Sequence, residues 1–406
     1  MRLRYGTTEA TLAAEEILGR PDFCWPAAED DAASGDRRLV SGSRTTEPPW
    51  QRLLSHLPSV ARRPVLVVSD ATRRGLWQEL LPRLAAHLIQ RWDPPALQIL
   101  VAAGIHAPVS RPDLERHLRL RDAPAAGGGE AYRAAHGAGR LELIQHDAGG
   151  DWPSLGRTSR GTPVRLNSAY LEADARIILG GTSYHYFAGF GGGPKLVFPG
   201  VAGRDGIRMN HLRALRAPEG HWHPACAPGR LHGNPVAADL AEAAGMAPPH
   251  AALTVLPAGG GWEIAAGAET DWRDLFRAAC ARFRERHTVT PSRPLAGVIA
   301  DAGGAPRDDH LLQVHKSLQH AARFVPPGGW ILLAGACARG IGSAGLVDYV
   351  ERLERETAAQ ILAGGEVDFH LQTAVALRAA SQGRTVGFLS QLSAAEPERV
   401  QALGWE

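Results

Sequence analysis

Residues 63–90 read RPVLVVSDATRRGLWQELLPRLAAHLIQ, and they decide the fold. A short run of β-branched and aliphatic residues ends at Asp70. After a polar turn, apolar residues recur at the spacing of a helix from 76 to 90. That is a buried strand followed by the helix that covers it, the unit of a parallel sheet. The same rhythm returns twice. ALQILVAAGIHAP (96–108) predicts a strand leading to His106, and ARIILGGTSYH (175–185) one leading to His185. Asp70, His106 and His185 thus each fall just past the carboxyl end of a strand. In open α/β sheets, that edge is where ligands bind.

The chain has 406 residues, too many for one ordinary core, so two domains are expected. We place the boundary in the proline-containing break TPSRPLAG (290–297). Residues 1–290 then form a cofactor-binding and catalytic domain, and 291–406 an α/β domain that closes over the site. The second part repeats the alternation, with strands at 297–304, 330–336 and 385–390 and helices at 308–324, 345–363 and 370–381. Asp308 or Asp309 is expected to cap the first of these helices. Residues 122–139 read as a flexible connection. The expected class is therefore α/β: two domains of mixed or parallel sheets flanked by helices, with the active site in the cleft between them.

Hydrophobic content of 44% and charged content of 21% fit a globular protein, and a net charge of +2 gives no general attraction to nucleic acid or membrane. Cys24, Cys226, Cys280 and Cys337 lie far apart and form no CxxC pair, which argues against a zinc knuckle or a thiol redox site. No apolar run reaches the ~20 residues of a membrane helix. The opening MRLRYGTTEATL lacks the apolar core of a signal peptide, so a cytoplasmic location is expected.

The chemistry concentrates in TSYHYFAGFGGGPKLVFPGVAGRDGIRMNH (182–211). Glycines without a Cβ let a backbone approach an anion closely, and a lysine beside them serves as a point charge or an amine nucleophile. GFGGGPK is not a Walker A loop, because Leu196 follows Lys195 where Ser or Thr is required. Nor does it complete the dinucleotide fingerprint, which needs a further glycine. His106 and His185 are each explicable alone as solvated or structural residues. On neighbouring strand ends they become a pair able to handle protons on two faces of one substrate, as a racemase requires. Arg73 can grip a carboxylate, although Asp70 and Arg73 also fit a cap with a surface cation. Gln313 and Lys316 are three apart and share a helix face; a solvent-facing polar pair would look the same.

Taken together and in order, these motifs resemble the nickel-pincer lactate racemase family over nearly the whole chain. The resemblance rests on SDATR ending at Arg73, AAGIH ending at His106, GTPVRLN (161–167) and the HYFAGFGGGPK block (185–195). FPG (198–200), NH (210–211), LHGNP (231–235), GGAPRDDHLLQVHKSLQHA (303–321) and GGWILLAGACARGIG (328–342) extend it. The resemblance implies a racemase or epimerase of 2-hydroxy acids that uses a nickel-pincer nucleotide, a pyridinium-3-thioamide-5-thiocarboxylic acid mononucleotide. It implies Lys195 as the covalent attachment point and His211 as the protein's nickel ligand. Asp70 and Thr72 would contact the cofactor, with Asp70 at its ribose, and Gly192 and Gly193 would line its phosphate. His106 and His185 would exchange the hydroxyl proton while the α-hydride moves to the pincer and returns. Arg73 and Lys316 would hold the carboxylate, with Gln313 assisting. Cofactor maturation proteins are implied as partners. Arg74, Ala107, Leu312 and Phe369 depart from the common pattern, which points to a 2-hydroxy acid other than lactate, with a bulkier one as the candidate. The same fold with another cofactor, or a non-catalytic nucleotide-binding protein, stays open at this point.

Overall fold

A computed structural model describes residues 2–5, 8–11, 39–41, 57–73, 75, 77–121, 129–258, 261–267, 271–291, 293–392 and 397–405. Cys24 and Arg74 lie outside them. The chain divides into two compact units. One lies within residues 27–210 and 229–288, the other within 1–26, 211–228 and 289–406.

The first unit is built on a seven-stranded sheet. Its spatial order is Leu39–Ser41, Gly261–Gly267, Ala251–Ala258, Ala175–Gly181, Pro64–Ser69, Leu97–Ala102, Leu141–Gln145. All neighbours are parallel except the hairpin between Ala251–Ala258 and Gly261–Gly267. Val65, Leu66, Val67 and Val68 are fully buried, so the central strand is covered on both faces. Each such side chain contributes about 1.5–3 kcal/mol of burial. On helix Trp77–Trp92, Trp77, Leu80, Leu81, Leu84, Ala85 and Leu88 are buried, and they join the core formed by alternate residues of that strand.

From Pro64–Ser69 the chain winds outward through Leu97–Ala102 to Leu141–Gln145. It then returns to the other side of the first strand with Ala175–Gly181. The direction of winding reverses between Pro64–Ser69 and Ala175–Gly181. In open α/β sheets, loops leaving adjacent carboxyl ends diverge at such a reversal, and ligands bind in the crevice between them.

The second unit contains a parallel sheet ordered Gly297–Asp301, Trp330–Ala334, Thr385–Leu389. Helices Leu311–Ala321, Ala344–Arg355 and His370–Ser381 contribute to its core through Val314, Leu318, Leu346, Val350, Ala374 and Leu377.

Three local expectations need correction. The helix read over 345–363 is two helices, Ala344–Arg355 and Ala358–Ala363. Thr357 starts the second with a capping box: its hydroxyl accepts from the Gln360 N–H, and the Gln360 side chain accepts from the Thr357 N–H. The cap position of helix Leu311–Ala321 is His310, which makes no side-chain cap bond, rather than Asp308 or Asp309. Asp308 is fully buried, and its carboxylate accepts from the Ala336 N–H at 3.0 Å, tying two strand-end loops together. Within 122–139, residues Glu130–Gly137 form a helix rather than a connection; 122–128 lie outside the described residues.

His315, on helix Leu311–Ala321, is buried, and burial together with the adjacent Lys316 ammonium pushes its imidazole down to about 3. The folded form therefore resists a proton that the unfolded chain accepts near pH 6.5. Its contribution to stability is complete above pH 6.5 and is lost as pH falls toward 3, by roughly 1.4 kcal/mol per pH unit. Urea unfolding at pH 7, 6 and 5 should show this slope. His315→Gln should flatten it by one proton's worth.

Candidate active site

The segments that follow strands Pro64–Ser69, Leu97–Ala102 and Ala175–Gly181 carry most of the candidate residues. Asp70, at the end of strand Pro64–Ser69, is nearly buried, and its Oδ2 lies 2.6 Å from His106 Nδ1. The Thr72 hydroxyl donates to both carboxylate oxygens at 3.0 and 3.1 Å, and the Arg73 N–H donates to the Asp70 carbonyl at 3.0 Å. Burial alone would raise the Asp70 carboxyl. The charge and hydrogen bond of His106, the Arg73 guanidinium and the Thr72 hydroxyl outweigh it and hold Asp70 down at about 2. His106 is carried by a turn whose Gly104 N–H donates to the Gly200 carbonyl at 2.9 Å. The FPG motif thus braces the histidine loop.

Strands Ser183–His185 and Gly189–Gly191 pair as a hairpin. Its bend carries Tyr186 and Phe187. The His185 ring meets Phe187 edge-on at 4.6 Å and stacks on Tyr186 at 5.4 Å. His185 Nδ1 accepts from the Ala188 N–H at 3.3 Å, so the neutral ring carries its proton on Nε2. Lys195 sits on the short 3₁₀ turn Gly193–Leu196, with its Nζ over the other partner of His185, the Phe187 ring, at 5.6 Å. Burial, then the Arg73 guanidinium, push the Lys195 ammonium down to about 7. An amine neutral near pH 7 is a nucleophile, which an ordinary lysine is not.

The two singled-out glycines have packing reasons as well. Gly192 has φ +79°, and a Cβ there would lie 2.0 Å from the Gly181 carbonyl oxygen; one on Gly193 would lie 2.3 Å from the Phe276 ring. Gly192→Ala therefore combines a left-handed backbone with a backbone clash. It should cost about 3 kcal/mol or more, read as a lower urea midpoint with an unchanged slope.

In the second unit, Lys316 Nζ donates to Gln313 Oε1 at 2.6 Å, so the pair expected on one helix face does form. His211, near the end of helix Arg204–Leu212, has the Phe369 ring at 6.4 Å. Among the described residues, no group of three or more His, Cys, Asp or Glu is placed to hold a metal ion. A nickel ion on His211 would need its remaining ligands from a bound group. Cys226, Cys280 and Cys337 are buried and form no disulfide among the described residues.

Several contributors were not singled out from the sequence. Phe187 touches both His185 and Lys195. Asn234 caps helix Pro235–Gly245 with its oxygen and donates through Nδ2 to the Phe187 carbonyl at 2.8 Å, which explains the LHGNP motif. Buried Asp239 accepts from Thr158, Thr162 and Asn210 at 2.6, 2.8 and 2.9 Å, fixing the residue before His211. A plainer signal lay in the composition. Of 44 basic residues only two are lysines, Lys195 and Lys316. Arginine serves at every other cationic position, and an arginine neither deprotonates near neutrality nor forms a thioamide.

The first unit is a doubly wound α/β sheet whose strand-end segments carry an Asp–His pair, a second histidine and a neutral-poised lysine. Known proteins resemble this chain. Residues 44–223 match the family model described as the lactate racemase N-terminal domain. The lactate racemases of Thermoanaerobacterium thermosaccharolyticum and Lactiplantibacillus plantarum are each 26% identical over 283 residues. Those alignments cover 69% of this chain and 61% and 62% of the relatives, so the match spans less than two thirds of their length. The lactate racemase apoprotein from T. thermosaccharolyticum superposes with a TM-score of 0.70 at 20% identity, covering 99% of this chain and 90% of that one. A protein from Thermotoga maritima gives 0.65 at 17% identity, covering 87% and 89%. Residues 44–223 thus resemble the lactate racemase N-terminal domain, in line with the motifs, and the α/β class is borne out.

Proposed function

We propose that this protein interconverts the configurations of a 2-hydroxy acid as a racemase or epimerase dependent on a nickel-pincer nucleotide. The carrying observation is a chain of contacts and charge interactions within one unit. His106 bonds Asp70; Asp70 and Lys195 both feel Arg73; Lys195 and His185 share Phe187. Two imidazoles are thereby tied to the surroundings of one reactive amine.

The residues present fit such a cofactor. Lys195 is the neutral-poised amine that covalent attachment needs. His211 supplies one imidazole to a metal whose other ligands the nucleotide would provide. Gly192 and Gly193 would line its phosphate, with Asp70 and Thr72 on the ribose side. When bound, the group would accept the α-hydrogen with its electron pair and give it back to either face.

The chain's own residues do the rest. His106 and His185 act on the substrate oxygen, one removing the hydroxyl proton and one restoring it as the other face is used. Arg73 and Lys316 hold the carboxylate, and Gln313 orients the Lys316 ammonium. Lys316 belongs to the other unit, and the reading assigns its role from the resemblance of the motif that carries it. It also places the protein in the cytoplasm, with maturation proteins loading the cofactor. No helix among the described residues is long and apolar enough to cross a membrane.

Phe369 beside His211, with Leu312, leads us to expect an acid other than lactate. Protein co-expressed with the maturation proteins should be assayed from both enantiomers across 2-hydroxy acids of increasing side-chain size. Equal mixtures from a larger acid support the reading. Preference for lactate removes the substrate part, and no interconversion of any acid removes the whole.

A further inference from the structure

Asp70 faces His106 more closely than a purely cofactor-side residue needs to. Its Oδ2 is 2.6 Å from His106 Nδ1, within the range of a charge-assisted hydrogen bond. The carboxylate is nine-tenths buried, whereas the imidazole is about one-third exposed. A buried carboxylate that only accepts must receive a proton here, so His106 Nδ1 is the donor. The Thr72 hydroxyl bridges both carboxylate oxygens and fixes their rotation. Thr72 Oγ1, Asp70 and His106 form a line, each member oriented by the one before it.

We infer that Asp70 is the positioning residue of His106: it locks the ring in the Nδ1–H tautomer and leaves Nε2 as the unprotonated nitrogen presented to substrate. This rests on the acid–base role proposed above and extends it, because the resemblance alone gave Asp70 to the ribose. The other imidazole is held the opposite way. The Ala188 N–H points at His185 Nδ1, so its neutral ring presents Nε2–H. Of the two, His106 is the resting base, and His185 begins as a hydrogen-bond donor to the substrate oxygen. The asymmetry comes from the chain: a carboxylate behind one ring, a backbone amide behind the other. When His106 takes the hydroxyl proton on Nε2, it becomes an imidazolium whose second N–H already faces a carboxylate, so the new charge arises beside its counter-ion. The other cations of this pocket are Arg73, beside Asp70, and Lys195, beside Arg73. Neither can replace the carboxylate.

The test does not depend on loaded enzyme. In the full chain labelled with ¹⁵N-histidine and lacking cofactor, long-range ¹H–¹⁵N spectra at pH 8 report the tautomer of each ring. His106→Gln and His185→Gln assign the two signals. Wild type should show Nδ1–H for His106 and Nε2–H for His185. Asp70→Ala should shift the His106 population toward Nε2–H at least tenfold and leave His185 unchanged. Thr72→Val, which keeps the carboxylate and frees its rotation, should shift it less and in the same direction; it also serves if Asp70→Ala does not fold. In loaded protein, Asp70→Ala should lower kcat about 100-fold with KM within twofold, and Asp70→Glu should recover part of the loss. A His106 tautomer unchanged in both variants overturns the inference, whether or not the mass added at Lys195 is also lost. The parent reading fails separately: His106→Asn protein that is loaded and still turns over at the wild-type rate would end the acid–base role, whatever the spectra of Asp70→Ala show.

Discussion

Loaded protein carrying His106→Asn or His185→Asn is expected to racemise its substrate about 10²- to 10⁴-fold more slowly, the usual cost of removing a positioned acid or base. Asparagine keeps a polar side chain but cannot exchange a proton near pH 7. Nickel content and the mass on Lys195 should stay at wild-type levels in both variants, which separates lost proton transfer from lost cofactor. The two positions should differ in stability. His106 is about one-third exposed but is the hydrogen-bond partner of buried Asp70, so its replacement should cost about 1–3 kcal/mol. His185 is buried between Tyr186 and Phe187, so losing its ring contacts should cost about 0.5–1.5 kcal/mol. Steady-state rates from both enantiomers, with metal analysis and thermal melts on the same preparations, check all of this.

Lys195→Arg should be more severe. Arginine keeps the positive charge over Phe187 but cannot deprotonate near neutrality or form the covalent link. Added mass on the 195 peptide should vanish, and turnover should fall to the uncatalysed level, on the order of 10⁶-fold or more. Because the chain has only two lysines, peptide mapping is unambiguous, and Lys316 serves as the internal control. The wild-type amine has a further signature. With its ammonium pushed down to about 7, the neutral fraction of Lys195 rises between pH 6 and 8 and levels off above. Cofactor loading followed by mass should trace that curve, whereas an ordinary lysine would still be gaining reactivity at pH 9.

The strands that organise the first unit were legible because they are buried on both faces. VLVVS, QILVA and RIILG are nearly continuous apolar runs, and the segments that follow them carry the candidate residues Asp70, His106 and His185. Leu141–Gln145 was harder to see because LELIQ carries a Glu and a Gln and is only partly buried. The hairpin Ala251–Ala258/Gly261–Gly267 hides a proline within its first strand, which local rules discourage. The break at Glu356–Thr357 could have been read from T-A-A-Q, a capping box inside an otherwise continuous helical pattern.

At the site, residue types were visible and their partners were not. Asp70 and His106 are 36 residues apart, and only the pairing of adjacent strands brings them within 2.6 Å. Asn234 reads as a helix cap, which it is; its second hydrogen bond, to Phe187, is long-range and leaves no local trace. The scarcity of lysine carried information of a different kind. In a chain that uses arginine for 42 of its 44 basic residues, both lysines fall at candidate site positions.

The most direct measurement follows hydrogen at the α-carbon. Loaded protein should racemise its 2-hydroxy acid in D₂O to an equal mixture, and the C2 position of both enantiomers should then be analysed by mass and NMR. If His106 and His185 act only on the hydroxyl oxygen, C2 keeps its original hydrogen and takes up no deuterium from solvent. Deuterium entering C2 as fast as configuration is lost would mean that the histidines work on carbon, and would contradict the account.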